Sequence, residues 1–389
     1  MQPQPDKVKT LRDLLAYQRQ DPGNDRLRAA VFDAALAADD FAEARFQVVH
    51  GRLTVPESAA WRNREALLLL ATGDFAAAVE RLSALVEETG DQPDLLYNLA
   101  FARFSLGETA AAELLVAPLR AGRSETGDLA WILWLRCMHW LARVDEALQA
   151  FVQAAAARAM PADAWGAASV IALDASRMKE ADSWSTRALG VKPLQIEALV
   201  TRGTLALAMQ DAAAAQRFFA QSLELGPQDR RSWSGMAFAQ MLLADFPAAR
   251  AAFARAVATM PGHIGTWIGA GWCAFFGDAP LEACELFEKS LSLDRNFAES
   301  HGSLAVALAR LDRRDAAKRE IDLALGLDRY CLSARYAEAV LGGDVDDPEA
   351  FRKFVRRVLE QRAAGTGGSA GLVDRLMQQP RRPPTAKPG

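Results

Sequence analysis

Cysteine and histidine are both scarce in this chain of 389 residues, which contains four of each. No two cysteines form a CxxC pair, and no combination of cysteine and histidine has the spacing of a zinc site. We therefore expect reduced thiols buried in a core, and neither a metal nor any other cofactor. The residues concerned are Cys137, Cys273, Cys284, Cys331, His50, His139, His263 and His301.

Long apolar runs are also missing. The N-terminal segment MQPQPDKVKTLRDLL has no apolar run after a basic start, so it does not predict a secretory signal. The most apolar segment, Leu129 to Leu141, contains Arg136 and His139 and is too short to span a membrane. These features predict a cytoplasmic protein with no membrane span.

The sequence offers no well-placed motif of catalysis or of nucleotide binding. It has no GxxxxGK, GxGxxG or HExxH pattern, and its one GxSxG match, Gly367 to Gly371, falls in the Gly-rich tail segment predicted to be disordered. The candidate acids lie within the predicted helical repeat, most of them at exposed turns, such as Asp39, Asp74 and Asp245. The net charge of −4 gives no electrostatic reason to expect nucleic acid. We therefore expect a protein that is not an enzyme and does not bind nucleic acid.

The sequence does contain a period of 34 residues, the first signal of a repeat architecture. Proline, tryptophan and phenylalanine recur at this spacing: Pro193, Pro227 and Pro261; Trp165, Trp233 and Trp267; Phe219, Phe253 and Phe287. Extending the phase gives nine units, beginning at residues 25, 59, 93, 128, 162, 196, 230, 264 and 298. The one irregular step, by a single residue, falls in the loop from Ala121 to Asp128.

The twentieth place of every unit is alanine. A small side chain there provides the notch that two helices need where they approach most closely, without the helix penalty of glycine. The nine residues are Ala44, Ala78, Ala112, Ala147, Ala181, Ala215, Ala249, Ala283 and Ala317.

Each unit has the pattern of a helix, a short turn and a second helix. In the unit that starts at Arg230, the turn Ala244–Pro247 separates the two helices, and Ala249, Phe253 and Ala256 follow at helical spacing. No run of alternating apolar residues predicts a strand in the repeats. The sequence therefore predicts an all-α fold.

This pattern resembles the tetratricopeptide repeat. Tryptophan stands at the fourth place, small residues at the eighth and twentieth, an aromatic residue at the twenty-fourth and proline at the thirty-second. The ends depart from it, because Arg28, Arg62 and His301 take the place of tryptophan, and tyrosine is missing from the eleventh place. The resemblance implies a right-handed superhelix of helix pairs, a solenoid whose first helices line a concave groove.

The chain divides by pattern into four parts. Residues 1–24 predict a capping half-repeat, 25–331 the nine repeats, 332–362 two capping helices, and 363–389 a disordered Gly- and Pro-rich basic tail. The helix Glu349 to Arg362 has a basic face, which either caps the solenoid or faces an anionic partner.

In proteins of the resembled family, ligand contacts come from the second, fifth, ninth, twelfth and thirteenth places of a repeat. Here these places form two aromatic clusters, which we expect to bind a partner. The alternative is that these side chains pack against neighbouring helices. The predicted groove residues are Tyr97, Phe101, Phe104, Ile132, Arg136, His139, Trp140, Arg231, Phe238, Met241, Ile268, Trp272 and Phe275.

The Lys/Asn clamp with which family members hold C-terminal carboxylates is missing, and so is the Asn ladder at the sixth place. We therefore expect a protein or peptide partner bound by apolar anchors, in a scaffold or chaperone-like adaptor. An Ala-rich composition with few lysines suggests a bacterial source, and family analogy suggests secretion, pilus or envelope assembly. The alternatives are a self-associating homo-oligomer, or a groove closed by the chain's own tail through Leu372, Leu376 and Met377.

Overall fold

The computed structural model describes residues 5–343, and within that range it contains twenty α-helices and no strand. These helices form two compact units, the first ending at Ser176 and the second beginning at Arg177. The predicted helix Glu349 to Arg362 and the tail lie outside the described residues. Among the residues described, no helix combines the length and apolarity needed to cross a membrane.

The first unit consists of ten α-helices and a short 3₁₀ turn, Pro118–Ala121. The helices are α1 Pro5–Gln20, α2 Asp25–Ala37, α3 Phe41–Thr54, α4 Ala59–Thr72, α5 Phe75–Thr89, α6 Pro93–Ser105, α7 Thr109–Val116, α8 Glu125–Trp140, α9 Val144–Ala157 and α10 Ala162–Asp174.

The second unit contains ten further α-helices. They are α11 Met178–Val191, α12 Ile196–Ala208, α13 Ala212–Leu225, α14 Arg230–Leu242, α15 Phe246–Thr259, α16 Ile264–Phe276, α17 Pro280–Leu293, α18 Ala298–Arg310, α19 Arg314–Leu327 and α20 Leu332–Gly342.

The turn between the two helices of each repeat has one conformation throughout. The fifteenth residue is left-handed in all nine repeats, with φ between 55° and 82°. Glycine meets this need at Gly73 and Gly107, whereas the other seven repeats place a residue with a Cβ atom there, at a cost of about 1–2 kcal/mol each. The next residue is the N-cap of the second helix, and where it is aspartate, as at Asp211 and Asp245, its carboxylate accepts a backbone N–H of the first turn.

The alanine of the twentieth place lies in the core of every repeat. All nine alanines have no exposed surface, which agrees with the notch that the sequence predicts. Four places further on, Phe219, Phe253 and Phe287 are also buried. Their rings press against helix positions without side chains: a Cβ added to Gly235 would lie 2.1 Å from Phe219 Cζ. The sixth place is therefore used for packing, which explains why it holds no asparagine ladder.

In several repeats the fourth place supplies a hydrogen-bond donor, which explains why arginine or histidine can replace tryptophan there. Trp233 Nε1 and Trp267 Nε1 donate to the carbonyls of Pro227 and Pro261, at 2.9 and 2.8 Å. Each acceptor lies six residues upstream, in the turn between repeats, where a free carbonyl needs a partner. Other side chains with N–H groups make the same link from this place: Arg28 to Pro22, His301 to Arg295, and Arg335 to Arg329.

The irregular step in the 34-residue repeat spacing coincides with an early start of helix α8. This helix begins at Glu125, three residues before the register predicts, behind the short helix α7. Gly127 makes the approach possible, because a Cβ there would lie 2.2 Å from the carbonyl oxygen of Gly122. The guanidinium of Arg120 stacks over Trp131 and Trp134 at 4.8 and 3.6 Å, and burial lowers its pKa.

Candidate functional site

Seven of the predicted groove residues lie in the first unit, on the packed pair α6 and α8. We call them the first-unit face. Its members on α6 are Tyr97, Phe101 and Phe104, and those on α8 are Ile132, Arg136, His139 and Trp140. Five are half-buried, Ile132 is 9% exposed, and Trp140 is 63% exposed. The face therefore presents aromatic and polar surface beside a buried aliphatic residue.

Tyr97 and Arg136 are electrostatically coupled. Burial raises the pKa of the Tyr97 phenol, and the positive charge of Arg136 opposes that rise. The hydroxyl group therefore stays protonated near neutral pH and can donate a hydrogen bond. Tyr97 thus adds a polar orienting group to an apolar ring.

Phe101 packs against a half-buried phenylalanine at the start of α5. Its ring meets Phe75 edge to face, with centroids 6.3 Å apart. This contact leaves the ring half-buried rather than enclosed. Phe101 is therefore an anchor of fixed orientation with part of its surface still accessible.

The end of α8 carries a paired histidine beside the exposed tryptophan. His139 Nε2 lies 2.7 Å from Asp174 Oδ2, at the end of α10. This contact fixes the imidazole ring and links α8 to α10, which pack against each other. The adjacent Trp140 has the most exposed aromatic side chain of the predicted groove residues.

A cleft of about 310 Å³ opens between the first turns of α6 and α8. Its walls are Asp94, Tyr97 and Asn98 from α6, and Glu125, Thr126 and Leu129 from α8. The hydroxyl group of Thr126 donates to Asp94 Oδ1. The cleft adjoins the first-unit face because they share Tyr97, and two of its six lining residues are acids.

Sequence reasoning missed Glu125 and Thr126 because they precede the predicted start of the repeat at residue 128. Only the early start of α8 places them beside α6. A signal was present in the Ser124–Glu125 pair, since serine followed by an acid is typical of a helix N-terminus. Ser124 does accept the backbone N–H of Gly127.

The other six predicted residues lie in the second unit, where they pack mainly against other core side chains. Phe238 meets the buried ring of Phe253 edge to face at 5.2 Å and touches the position of Gly269, where an added Cβ would lie 2.7 Å from its ring. Met241 packs against the same cluster, and Ile268 is 9% exposed. Arg231 is the exposed member.

Trp272 is at the centre of an aromatic cluster. Its ring lies within 5.5–5.8 Å of Phe275, Phe276 and Phe287, measured between centroids, and 6.4 Å from Tyr336 of α20. Its indole N–H donates to Ser303 Oγ at 3.1 Å. Trp272 therefore has little to offer a ligand, because its ring and its N–H already have partners within the protein.

The last described helix, α20, packs closely against α18. α20 packs chiefly against α18 rather than α19, and a Cβ added to Gly302 would lie 2.6 Å from the backbone nitrogen of Ala334. Val306, at the ninth place of its repeat, has no exposed surface. The register alone did not predict that Tyr336 and Ser303 would complete this cluster.

Comparison with known proteins agrees with the repeat geometry. The family model described as tetratricopeptide repeat matches residues 69–126, from the second half of α4 to the start of α8. Residues 69–126 are therefore recognised as tetratricopeptide repeat, and the other described helix pairs have the same repeat geometry. The matched region includes Tyr97, Phe101 and Phe104, so the α6 part of the first-unit face lies on a recognised repeat. A tetratricopeptide fold is consistent with a protein–protein interaction scaffold, and proteins of this family are generally not catalytic.

Three solved structures are similar to parts or most of the chain. A chain of the APC/C hetero-tetramer Cut9-Hcn1 is 14% identical, with a TM-score of 0.49, over 93% of this chain and 80% of that chain. A tetratricopeptide repeat protein from Parabacteroides merdae is 15% identical, with a TM-score of 0.42, over 64% and 97%. MamA is 18% identical, with a TM-score of 0.36, over 41% and 92%. No curated protein matches the sequence.

Proposed function

We propose that this protein is a non-catalytic scaffold whose first-unit face binds an apolar or amphipathic segment of a partner protein. The observation that carries the proposal is the exposed indole of Trp140 on α8, which also carries half-buried Arg136 and packs against α6 with half-buried Tyr97 and Phe101. Aromatic and arginine side chains are the usual energetic centres of protein interfaces. Apolar surface in this arrangement suits a helix or an extended peptide.

Polar groups on the same face give the site a means to orient its ligand. The Tyr97 hydroxyl can donate a hydrogen bond, and the His139–Asp174 pair supplies a fixed imidazole at the end of α8. A few polar groups among apolar anchors are typical of specific binding sites. The first-unit face therefore offers apolar surface for affinity and polar groups that can orient a bound segment.

The second unit offers less for a ligand. Trp272 and Phe238 are half-buried and pack against neighbouring rings, and neither is as exposed as Trp140. An anchor must be accessible to bury new area on binding. We therefore limit the proposed site to the first unit. Of the second-unit residues predicted from sequence, only Arg231 keeps an exposed side chain.

Site-specific photocrosslinking tests the proposal. A benzophenone amino acid is placed at position 140 in one version of the full chain and at position 191 in another, since Val191 is 74% exposed and lies in the second unit. We expect a partner that crosslinks from position 140 but not from position 191. Adding Arg136→Glu should abolish that crosslink, while circular dichroism shows an unchanged melting curve.

Equal crosslinking from both positions, or a crosslink that survives Arg136→Glu, would overturn the assignment of the site. The identity of the crosslinked protein tests the finer parts of the proposal, namely a chaperone-like role in bacterial secretion, pilus or envelope assembly, and a cytoplasmic location. A homo-oligomer is the alternative, and it predicts a crosslink to a second copy of this chain.

A further inference from the structure

The cleft between the first turns of α6 and α8 differs in charge from the rest of the first-unit face. Its lining contains the carboxylates of Asp94 and Glu125 and no lysine, arginine or histidine. Arg136 acts electrostatically on Tyr97 at the shared wall, but it does not line the cleft. The charged groups in the lining are therefore all acidic.

The two carboxylates are placed to receive a donor. Thr126 donates to Asp94 Oδ1, which orients the carboxylate and leaves its second oxygen for another partner. Glu125 is exposed and forms no ion pair within residues 5–343. Both acids stand in the first turn of their helices, where the helix dipole stabilises negative charge.

The remaining walls suit the hydrocarbon part of a long cationic side chain. The Tyr97 ring and Leu129 supply apolar surface, and Asn98 supplies an amide. Lysine and arginine place their methylene groups along such surface while the charged end reaches a polar group. A volume of about 310 Å³ is at the lower end of the range for ligand sites, which is about 300–1,000 Å³, and suits one side chain.

We infer that this cleft binds a lysine or arginine side chain of the partner segment whose apolar residues contact Phe101 and Trp140. The inference rests on the proposed function and names the chemistry of its ligand. It also gives a physical reason for the missing carboxylate clamp, because two carboxylates at the mouth of the groove repel a C-terminal carboxylate. The rival explanation is that both acids only stabilise the first turns of α6 and α8.

A random dodecapeptide library displayed on phage and selected against the full chain tests the inference. We expect enriched peptides with apolar residues and a lysine or arginine at one fixed position. The isosteric double variant D94N/E125Q should bind the best peptide about 10- to 100-fold more weakly, since a hydrogen bond to a charged group contributes about 1.5–3 kcal/mol. The difference should shrink as salt concentration rises.

A matched control separates charge recognition from effects on helix ends. Glu180 and Asp315 also stand in first turns, of α11 and α19, so E180Q/D315N should leave peptide affinity unchanged. Replacing the fixed lysine of the peptide by norleucine should weaken binding to the wild type but not to D94N/E125Q. Equal losses with norleucine in both proteins would place the charge contact elsewhere and overturn the inference.

The failure of this inference differs from the failure of the proposed function. Peptides that lose affinity with W140A but not with D94N/E125Q would overturn the basic side-chain site alone. A library that yields no peptide sensitive to W140A would overturn the proposed function, and the inference with it.

Discussion

In the first unit, the ninth-place side chains Phe101 and Arg136 are half-buried, and Trp140 follows with most of its indole in solvent. In the second unit, the ninth-place side chains Phe238 and Trp272 lie against the rings of Phe253 and Phe287. All four ninth-place side chains are half-buried, so the two units differ in what packs against these side chains and in the exposed Trp140. A repeat register identifies the side a residue faces, but not which neighbours pack against it.

Glycine residues account for the closer packing in the second unit. In the second unit, Gly269 and Gly302 let a ring or a whole helix approach to distances that a Cβ would forbid. The corresponding places in α6 hold Asn98 and Tyr97, which are half-buried and line the cleft beside α8. At these two places the second unit is therefore packed more closely than α6 of the first unit.

The largest expected difference between the two units is in the free energy of unfolding lost when one tryptophan is removed from each. Trp272→Ala should lower the free energy of unfolding by about 3–5 kcal/mol, because a packed indole leaves a cavity. Trp140→Ala should change it by about 0.5 kcal/mol or less, since most of its surface is already in solvent. Guanidinium denaturation of both variants measures this, and equal losses would contradict the contrast between the faces.

A methyl group at Gly302 should separate α20 from α18. The new Cβ would lie 2.6 Å from the Ala334 nitrogen and 2.8 Å from Cys331 Sγ, so Gly302→Ala should cost about 1–3 kcal/mol by overpacking. Urea unfolding checks the cost, and faster thiol labelling of Cys331 checks the separation. Gly326→Ala is the control, because nothing lies within 4 Å of a Cβ there, and it should be neutral or stabilising.

Alkaline pH should lower the free energy of unfolding of both units, in each case through a buried thiol. Burial raises the pKa of Cys137 and of Cys331 to about 12, from an ordinary value of 9.0. The folded state therefore favours the protonated thiol, so its contribution is complete below pH 9 and falls as the pH rises towards 12. At pH 10 the loss should be about 1 kcal/mol per thiol. Cys137→Ala and Cys331→Ala should each flatten the curve of unfolding free energy against pH, and an unchanged curve would contradict this.

The smallest expected effect concerns the left-handed turn residues that both units share. Ala142→Gly in the first unit and Ala244→Gly in the second should each stabilise the protein by about 0.5–1 kcal/mol, because glycine relieves the Cβ strain at positive φ. Thermal melting of the two single variants tests this. A destabilised variant would show that the alanine methyl group makes contacts worth more than the strain.

Much of the fold could be predicted from spacing. The 34-residue period, the nine alanines and the helix pairs follow from local propensity and from a notch that recurs in every repeat. The fourth place was harder to interpret, because in several repeats it supplies an N–H donor, which Arg28 or His301 can provide as well as tryptophan. A pattern written in residue types does not reveal a requirement set by a hydrogen bond.

The candidate site was predictable only as a set of positions. Repeat places put Tyr97, Phe101, Arg136 and Trp140 on one side of α6 and α8, since helical spacing alone determines which residues share a face. The early start of α8, the acidic cleft and the covering of α18 by α20 were decided by tertiary structure. These features depend on how closely two backbones approach, and that distance is set at Gly127 and Gly302 by contacts between residues distant in the sequence.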